Sequence, residues 1–155
     1  YVVFDVIDLV ADTKILRATF ENYFYPQFSI NKDGSKWALA LGNPGNEQGK
    51  PNSAKIVLAN YPEVEQKVVE EGSWARIQKP VISPQGDRLL YQKYDVVNGP
   101  IYVQFWDGEK SSRLTEGVPT IWVDNDRFIY KSGKDSKLNE IYLYDLKSNS
   151  SKKLN

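Results

Sequence analysis

A stretch of about forty residues recurs along this chain, and a period of that length belongs to folds built from repeated supersecondary units. No other feature of the 155 residues limits the possible folds so tightly. The clearest copy occupies 80–115. It opens Pro80-Val81-Ile82-Ser83-Pro84-Gln85-Gly86-Asp87-Arg88-Leu89-Leu90-Tyr91 and, after a polar gap, continues Ile101-Tyr102-Val103-Gln104-Phe105-Trp106-Asp107-Gly108, closing on Ser112-Arg113-Leu114-Thr115. Alternating apolar runs separated by Pro/Gly and Asp-Gly turns predict a four-stranded antiparallel meander. A second copy begins Pro26-Gln27-Phe28-Ser29-Ile30-Asn31-Lys32-Asp33-Gly34-Ser35-Lys36-Trp37, and a degenerate third begins Pro119-Thr120-Ile121-Trp122-Val123-Asp124-Asn125-Asp126-Arg127-Phe128.

The spacings extend the pattern over the whole chain. Pro80 and Pro119 stand 39 residues apart, and Pro26 and Pro80 stand 54 apart. The longer interval holds 42–53, a Gly/Pro/Asn-rich segment without a large apolar residue, which reads as a loop insertion; such insertions cost little stability. Third runs fall into register at Ile56-Val57-Leu58, Ile101-Tyr102-Val103 and Ile141-Tyr142-Leu143. Val6-Ile7-Asp8-Leu9 resembles Tyr144-Asp145-Leu146, so 1–20 reads as the outer half of a preceding unit. The expected fold is all-β: a partial β-propeller of about three and a half four-stranded antiparallel blades. Its parts are an outer half-blade at 1–20, a blade at 21–75 carrying the insertion 42–53, and blades at 76–116 and 117–155.

Propellers close into rings of roughly 4–8 blades, and each blade buries its faces only against its neighbours. Three and a half blades therefore leave two apolar flanks. Either this is a piece of a longer chain, as Tyr1 lying inside an apolar strand-like run also suggests, or a second copy completes the ring. A compact β-sheet stack that is not a propeller is the remaining solution.

Composition excludes several function classes. Twenty acidic residues balance twenty basic ones, so no global field draws the chain to nucleic acid or an anionic membrane. No apolar run approaches the roughly 20 residues of a membrane helix. Cysteine and methionine are both absent, which rules out disulfides and fits a bacterial protein working outside the cytoplasm, in the periplasm or at the cell surface. Histidine is absent too. Without His or Cys the chain supplies no Ser-His-Asp triad, thiol nucleophile or ordinary zinc site.

The run Pro80 to Tyr91, with Ile101-Tyr102-Val103 and Arg113-Leu114-Thr115, resembles the TolB-like propeller repeat: proline, apolar, Ser-Pro-Asp-Gly, an apolar strand and a closing Leu-Thr. Gln85 replaces the usual aspartate, the copy from Pro26 keeps Ser29 and Asp33-Gly34, and the copy from Pro119 has lost both the Ser-Pro pair and the glycine. The resemblance spans about residues 20–155 and implies an architecture shared by many functions. Trp106-Asp107 occupies the place of the namesake pair of WD-repeat blades, but without histidine the His-Asp network of that family cannot be built.

The residues of these motifs have structural explanations. Pro84 presets φ and Gly86 accepts positive φ, so Ser-Pro-Gln-Gly is turn chemistry, with Ser83 and Ser29 expected to hydrogen-bond the turn backbone. Asp33, Asp87, Asp107 and Asp124 lie in or beside turns, where Asp bonds the backbone, which argues against a paired-carboxylate hydrolase. Asp124-Asn125-Asp126 lacks the Gly and distal Glu of a calcium loop and reads as a hairpin turn. Most aromatic residues, among them Trp37, Tyr91, Trp106, Trp122 and Tyr130, are expected in the inter-blade core. Asn149-Ser150-Ser151 is a formal glycosylation triplet in a turn.

A binding surface remains. Its candidate residues are Asn43, Asn46, Gln48 and Lys50 of the insertion, with Trp74 and Tyr94 as exposed anchors in loops flanking strands. No catalytic residue, metal ligand or cofactor is expected. The expected function is a non-catalytic propeller module that binds a protein or small-molecule partner within a larger exported bacterial protein. The first alternative is the gating propeller of a prolyl-oligopeptidase-like serine peptidase, which a downstream Gly-x-Ser-x-Gly segment would support. A structural repeat of a surface or assembly protein is the second.

Overall fold

A computed structural model describes residues 2–8, 13–20, 24–43, 53–60, 66–73, 76–96, 99–132 and 139–154, with side chains from Gln27 onward. All regular structure among them is β. Strands β1 (Val2–Asp8) and β2 (Thr13–Phe20) pair antiparallel as a two-stranded sheet. Three four-stranded meanders follow, each with its strands in chain order. The first blade is β3 (Phe24–Ile30), β4 (Lys36–Asn43), β5 (Ser53–Asn60) and β6 (Gln66–Gly72). The second is β7 (Ile77–Ile82), β8 (Leu89–Tyr94), β9 (Ile101–Trp106) and β10 (Ser111–Glu116). The third is β11 (Val118–Trp122), β12 (Arg127–Ser132), β13 (Glu140–Asp145) and β14 (Ser150–Lys153). This is a partial β-propeller.

Strand alternation sends successive side chains to opposite faces, and the second blade uses both. Leu89 and Tyr91 of β8, with Ile77, Ile82 and Trp106, pack against Ala38, Ala40 and Ile56 of the first blade. Between them Leu90, on the other face, joins Val103 against Trp122, Phe128, Tyr130 and Tyr144 of the third. The alanines of β4 leave room for the large rings of the next blade, and each large side chain so buried contributes about 1.5–3 kcal/mol relative to exposure. The third blade's half of that core is aromatic: Phe128 stacks on Tyr144 at 5.0 Å and meets Trp122 edge-on at 5.7 Å. The expected core aromatics Trp37, Tyr91, Trp106, Trp122 and Tyr130 are all buried.

The turns after β3 and β7 define how the blades superpose. Gly34 N–H donates to Asn31 O and Gly86 N–H to Ser83 O, with φ at +79° and +73°. Asn31, not Ser29, is therefore the counterpart of Ser83, two residues from where the prolines would place it. Pro26, Pro80 and Pro119 all lie on the innermost strand of their blades, at or next to its β-bulge, offset from one another by one or two positions. A proline lacks the N–H a ladder needs, and a bulge is where a strand can spare one. Ser29 consequently bonds no turn. Its Oγ accepts Ile82 N–H at 3.0 Å, joining the innermost strands of two blades.

Candidate functional site

The turns β3–β4, β7–β8 and β11–β12 lie side by side on one rim. Each must satisfy the backbone N–H that re-enters the second strand, and each does so with a different side chain. Asn31 Oδ1 accepts from Lys36 N at 3.0 Å, Ser83 Oγ from Arg88 N at 3.1 Å and Asp124 Oδ1 from Arg127 N at 2.8 Å. The turns also bond one another. Lys32 N–H donates to Pro84 O at 3.3 Å, and Asn125 Nδ2 donates to Gln85 Oε1 at 2.7 Å.

Most acidic residues of this rim serve their own hairpins. Asp33 accepts from Ser35 N and Oγ, Asp87 from Ser83 Oγ at 2.9 Å, and Asp107 from the N–H groups of Glu109 and Lys110. Hydrogen bonds from Ser35 hold Asp33 below the usual carboxylate range, backbone N–H groups do so for Asp107, and Arg127 does so for Asp124. Asp126, held by Lys147 and Arg88, is lowered likewise. Carboxylates tuned this way stay ionised at neutral pH, the opposite of what a general acid requires. Among the described residues no group of three acidic side chains could hold a metal ion.

Among the described residues, clefts open between blades. The first, about 330 Å³, lies between the first and second blades and is lined by Lys36, Leu58, Asn60, Lys67, Asp87 and Trp106. Lys67 reaches across it from β6, donating to Gly108 O at 3.0 Å with its ammonium 4.8 Å from the Trp106 ring centroid. The second, about 500 Å³, lies between the second and third blades. There Arg88 crosses to Asp126 at 3.0 Å and to Asn125 O at 2.8 Å, while Lys147 meets the other Asp126 oxygen at 2.6 Å. A third recess of about 270 Å³ faces the innermost strands and includes Ile30, Ile82, Ile121 and Trp122.

The residues expected at a binding surface fall apart from these clefts. Gly42, Asn43 and Ser53 belong to strands, with Asn43 opposite Ser53 at the end of the β4–β5 ladder, and Asn43 is buried. The insertion between those strands is thus shorter than 42–53. Asn46, Gln48, Lys50 and Trp74 lie outside the described residues. Tyr94 ends β8 opposite Ile101, half-buried, with its N–H on Arg76 O; it is a strand residue and not a loop anchor. Sequence reasoning passed over the cleft residues Lys36, Asn60 and Lys67. A signal existed in the polar-then-basic pairs Ser35-Lys36, Asp87-Arg88 and Asp126-Arg127, which close each turn.

No protein-family model matches the chain, and no curated protein does. Solved structures do match. TolB from Acinetobacter baumannii superposes with a TM-score of 0.65 at 19% identity, over 98% of this chain and 37% of TolB. The β-propeller domain of the Trilobed protease from Pyrococcus furiosus gives 0.66 at 16% identity, over 88% of this chain and 45% of that one. Oligogalacturonate lyase from Vibrio parahaemolyticus gives 0.67 at 13%, over 96% and 46%. The fold is that of a TolB-like β-propeller, and the chain spans less than half the length of each of these proteins.

Proposed function

We propose that the chain is a non-catalytic binding platform, a propeller module that engages a protein or small-molecule partner within a larger exported bacterial protein. The observation that carries this reading is the commitment of the rim carboxylates Asp33, Asp87, Asp107 and Asp124 to hydrogen bonds of their own turns, in a chain without His or Cys. The platform's remaining blades come from the same longer chain or from a second copy. The absence of Cys and Met supports a place outside the cytoplasm, in the periplasm or at the cell surface. Asn46, Gln48, Lys50 and Trp74 remain its proposed partner-facing residues, Asn43 being buried and Tyr94 part of a strand.

A second reading is favoured by the likeness to the propeller domain of a protease. In it the module gates a serine peptidase of the prolyl-oligopeptidase kind, with the nucleophile on another domain. Affinity capture with the full-length protein from its source, alongside labelling with a fluorophosphonate serine probe, separates the readings. The platform reading expects a retained partner and no labelling. Labelling of the full-length protein would establish the peptidase reading instead, and capture of nothing would point to a purely structural repeat.

A further inference from the structure

The two junctions between described blades differ at one place. Between the second and third, the basic residue that closes the β7–β8 turn, Arg88, crosses to the acidic residue of the next turn, Asp126, at 3.0 Å. The corresponding pair one junction earlier is Lys36 and Asp87, and that crossing is not made. Among the described residues the Lys36 ammonium has no hydrogen-bond or ion-pair partner, whereas the Asp87 carboxylate contacts Ser83 Oγ at 2.9 Å, Asn125 Nδ2 at 3.4 Å and Arg88 Nε at 4.0 Å. Both side chains line the cavity of about 330 Å³, so it presents opposite charges across open space. Leu58 and the buried Trp106 give it an apolar wall. Lys67, spanning from β6 to Gly108 O, bounds it with a charge already engaged.

We propose that this cavity binds a free zwitterionic α-amino acid with an apolar side chain. The ligand carboxylate pairs with Lys36, its ammonium pairs with Asp87, and its side chain lies against Leu58 and Trp106. The cavity volume is at the lower end of small-molecule sites, which begin at about 300 Å³, and suits a molecule of leucine's size with a few waters at about 30 Å³ each. Charge-assisted hydrogen bonds at both ends give the site its selectivity, because a ligand carrying one charge forgoes one of the two. The proposal rests on the binding-platform reading and names the ligand of its small-molecule arm.

The test is calorimetric titration of the full-length protein with L-leucine, L-leucinamide and 4-methylpentanoate. Saturable binding of leucine is expected, weakened at least about tenfold for both analogues and for the Lys36→Met and Asp87→Asn variants. Lys36→Met keeps the aliphatic stem that packs over Gly86, and thermal melts verify that each variant is folded. Lys153→Met, on β14 and paired with Glu140, should leave the titration unchanged. Absence of leucine binding, or binding indifferent to Lys36→Met in a folded protein, overturns the assignment. If leucine fails while affinity capture retains a partner, the cavity proposal falls and the platform reading stands.

Discussion

Gly34 and Gly86 hold the same turn position at nearly the same positive φ, yet their surroundings differ. A Cβ on Gly34 would meet nothing within 4 Å, whereas on Gly86 it would lie 2.7 Å from Lys36 Cδ and 2.9 Å from Asn31 Nδ2, both in the neighbouring blade. Gly34→Ala should therefore cost only the left-handed backbone strain, about 1 kcal/mol. Gly86→Ala adds a clash between blades and should cost about 2–3 kcal/mol. Thermal melts of the two variants compare them directly, and equal losses would mean that the inter-blade contact at Gly86 yields freely. The sequence disclosed that Gly86 takes positive φ, because Ser-Pro-Gln-Gly is turn chemistry. It did not disclose the crowding, because the atoms responsible come from residues about fifty positions earlier.

At the scale of strands and turns, the fold was legible wherever one physical requirement maps onto one residue type. Alternating apolar runs located the meanders, and a Pro-Gly turn located the second blade. Legibility fell where several side chains satisfy the same requirement. The N–H after the first turn of each blade is accepted by Asn31, Ser83 or Asp124, so the Ser-Pro-x-Gly signature dissolves while the geometry persists. Aligning the copies on their prolines then shifts the first blade by two residues, since a bulge can slide along the innermost strand without breaking the ladder beyond it. The candidate cleft was less legible still, because Lys36, Asn60, Lys67 and Trp106 come from four strands of two blades. One element-scale consequence concerns the insertion. Asn43 and Ser53 already face each other as a cross-strand pair, so replacing 44–52 by an Asn-Gly type I′ turn spans the gap that the strands themselves present. The melting temperature of the shortened protein should stay within a few degrees of the parent, as expected for about 0.5 kcal/mol in a domain of this size. Loss of a cooperative transition would show that the segment supports the blade.

Across the whole molecule, equivalent positions have unequal fates. Ile82 of β7 and Trp122 of β11 hold the same place on the innermost strand and are 5% and 7% exposed, each packed on the blade before it. Their counterpart in β3, Ile30, is 49% exposed, and Phe28 two residues earlier is 61% exposed. At the opposite end Ile121 is 55% exposed, while its counterpart Val81 packs against the third blade. Each end therefore presents an apolar innermost strand of the kind that another blade covers elsewhere in the same molecule. Phe28→Lys combined with Ile121→Lys makes this measurable. In the 155-residue chain by itself, the pair should lower self-association in sedimentation velocity with little change in melting, because neither side chain is buried there. In a protein whose further sheets complete the ring, the same substitutions would place two ammonium groups in an inter-blade core. The lost apolar burial alone would then cost about 1.5–3 kcal/mol at each site, and the unpaired charge would add to it. Sedimentation and melting thus respond in opposite ways to an open and a closed ring. A variant that alters neither would mean that these two strands face water in the working protein and that blade packing is not what their apolar residues serve.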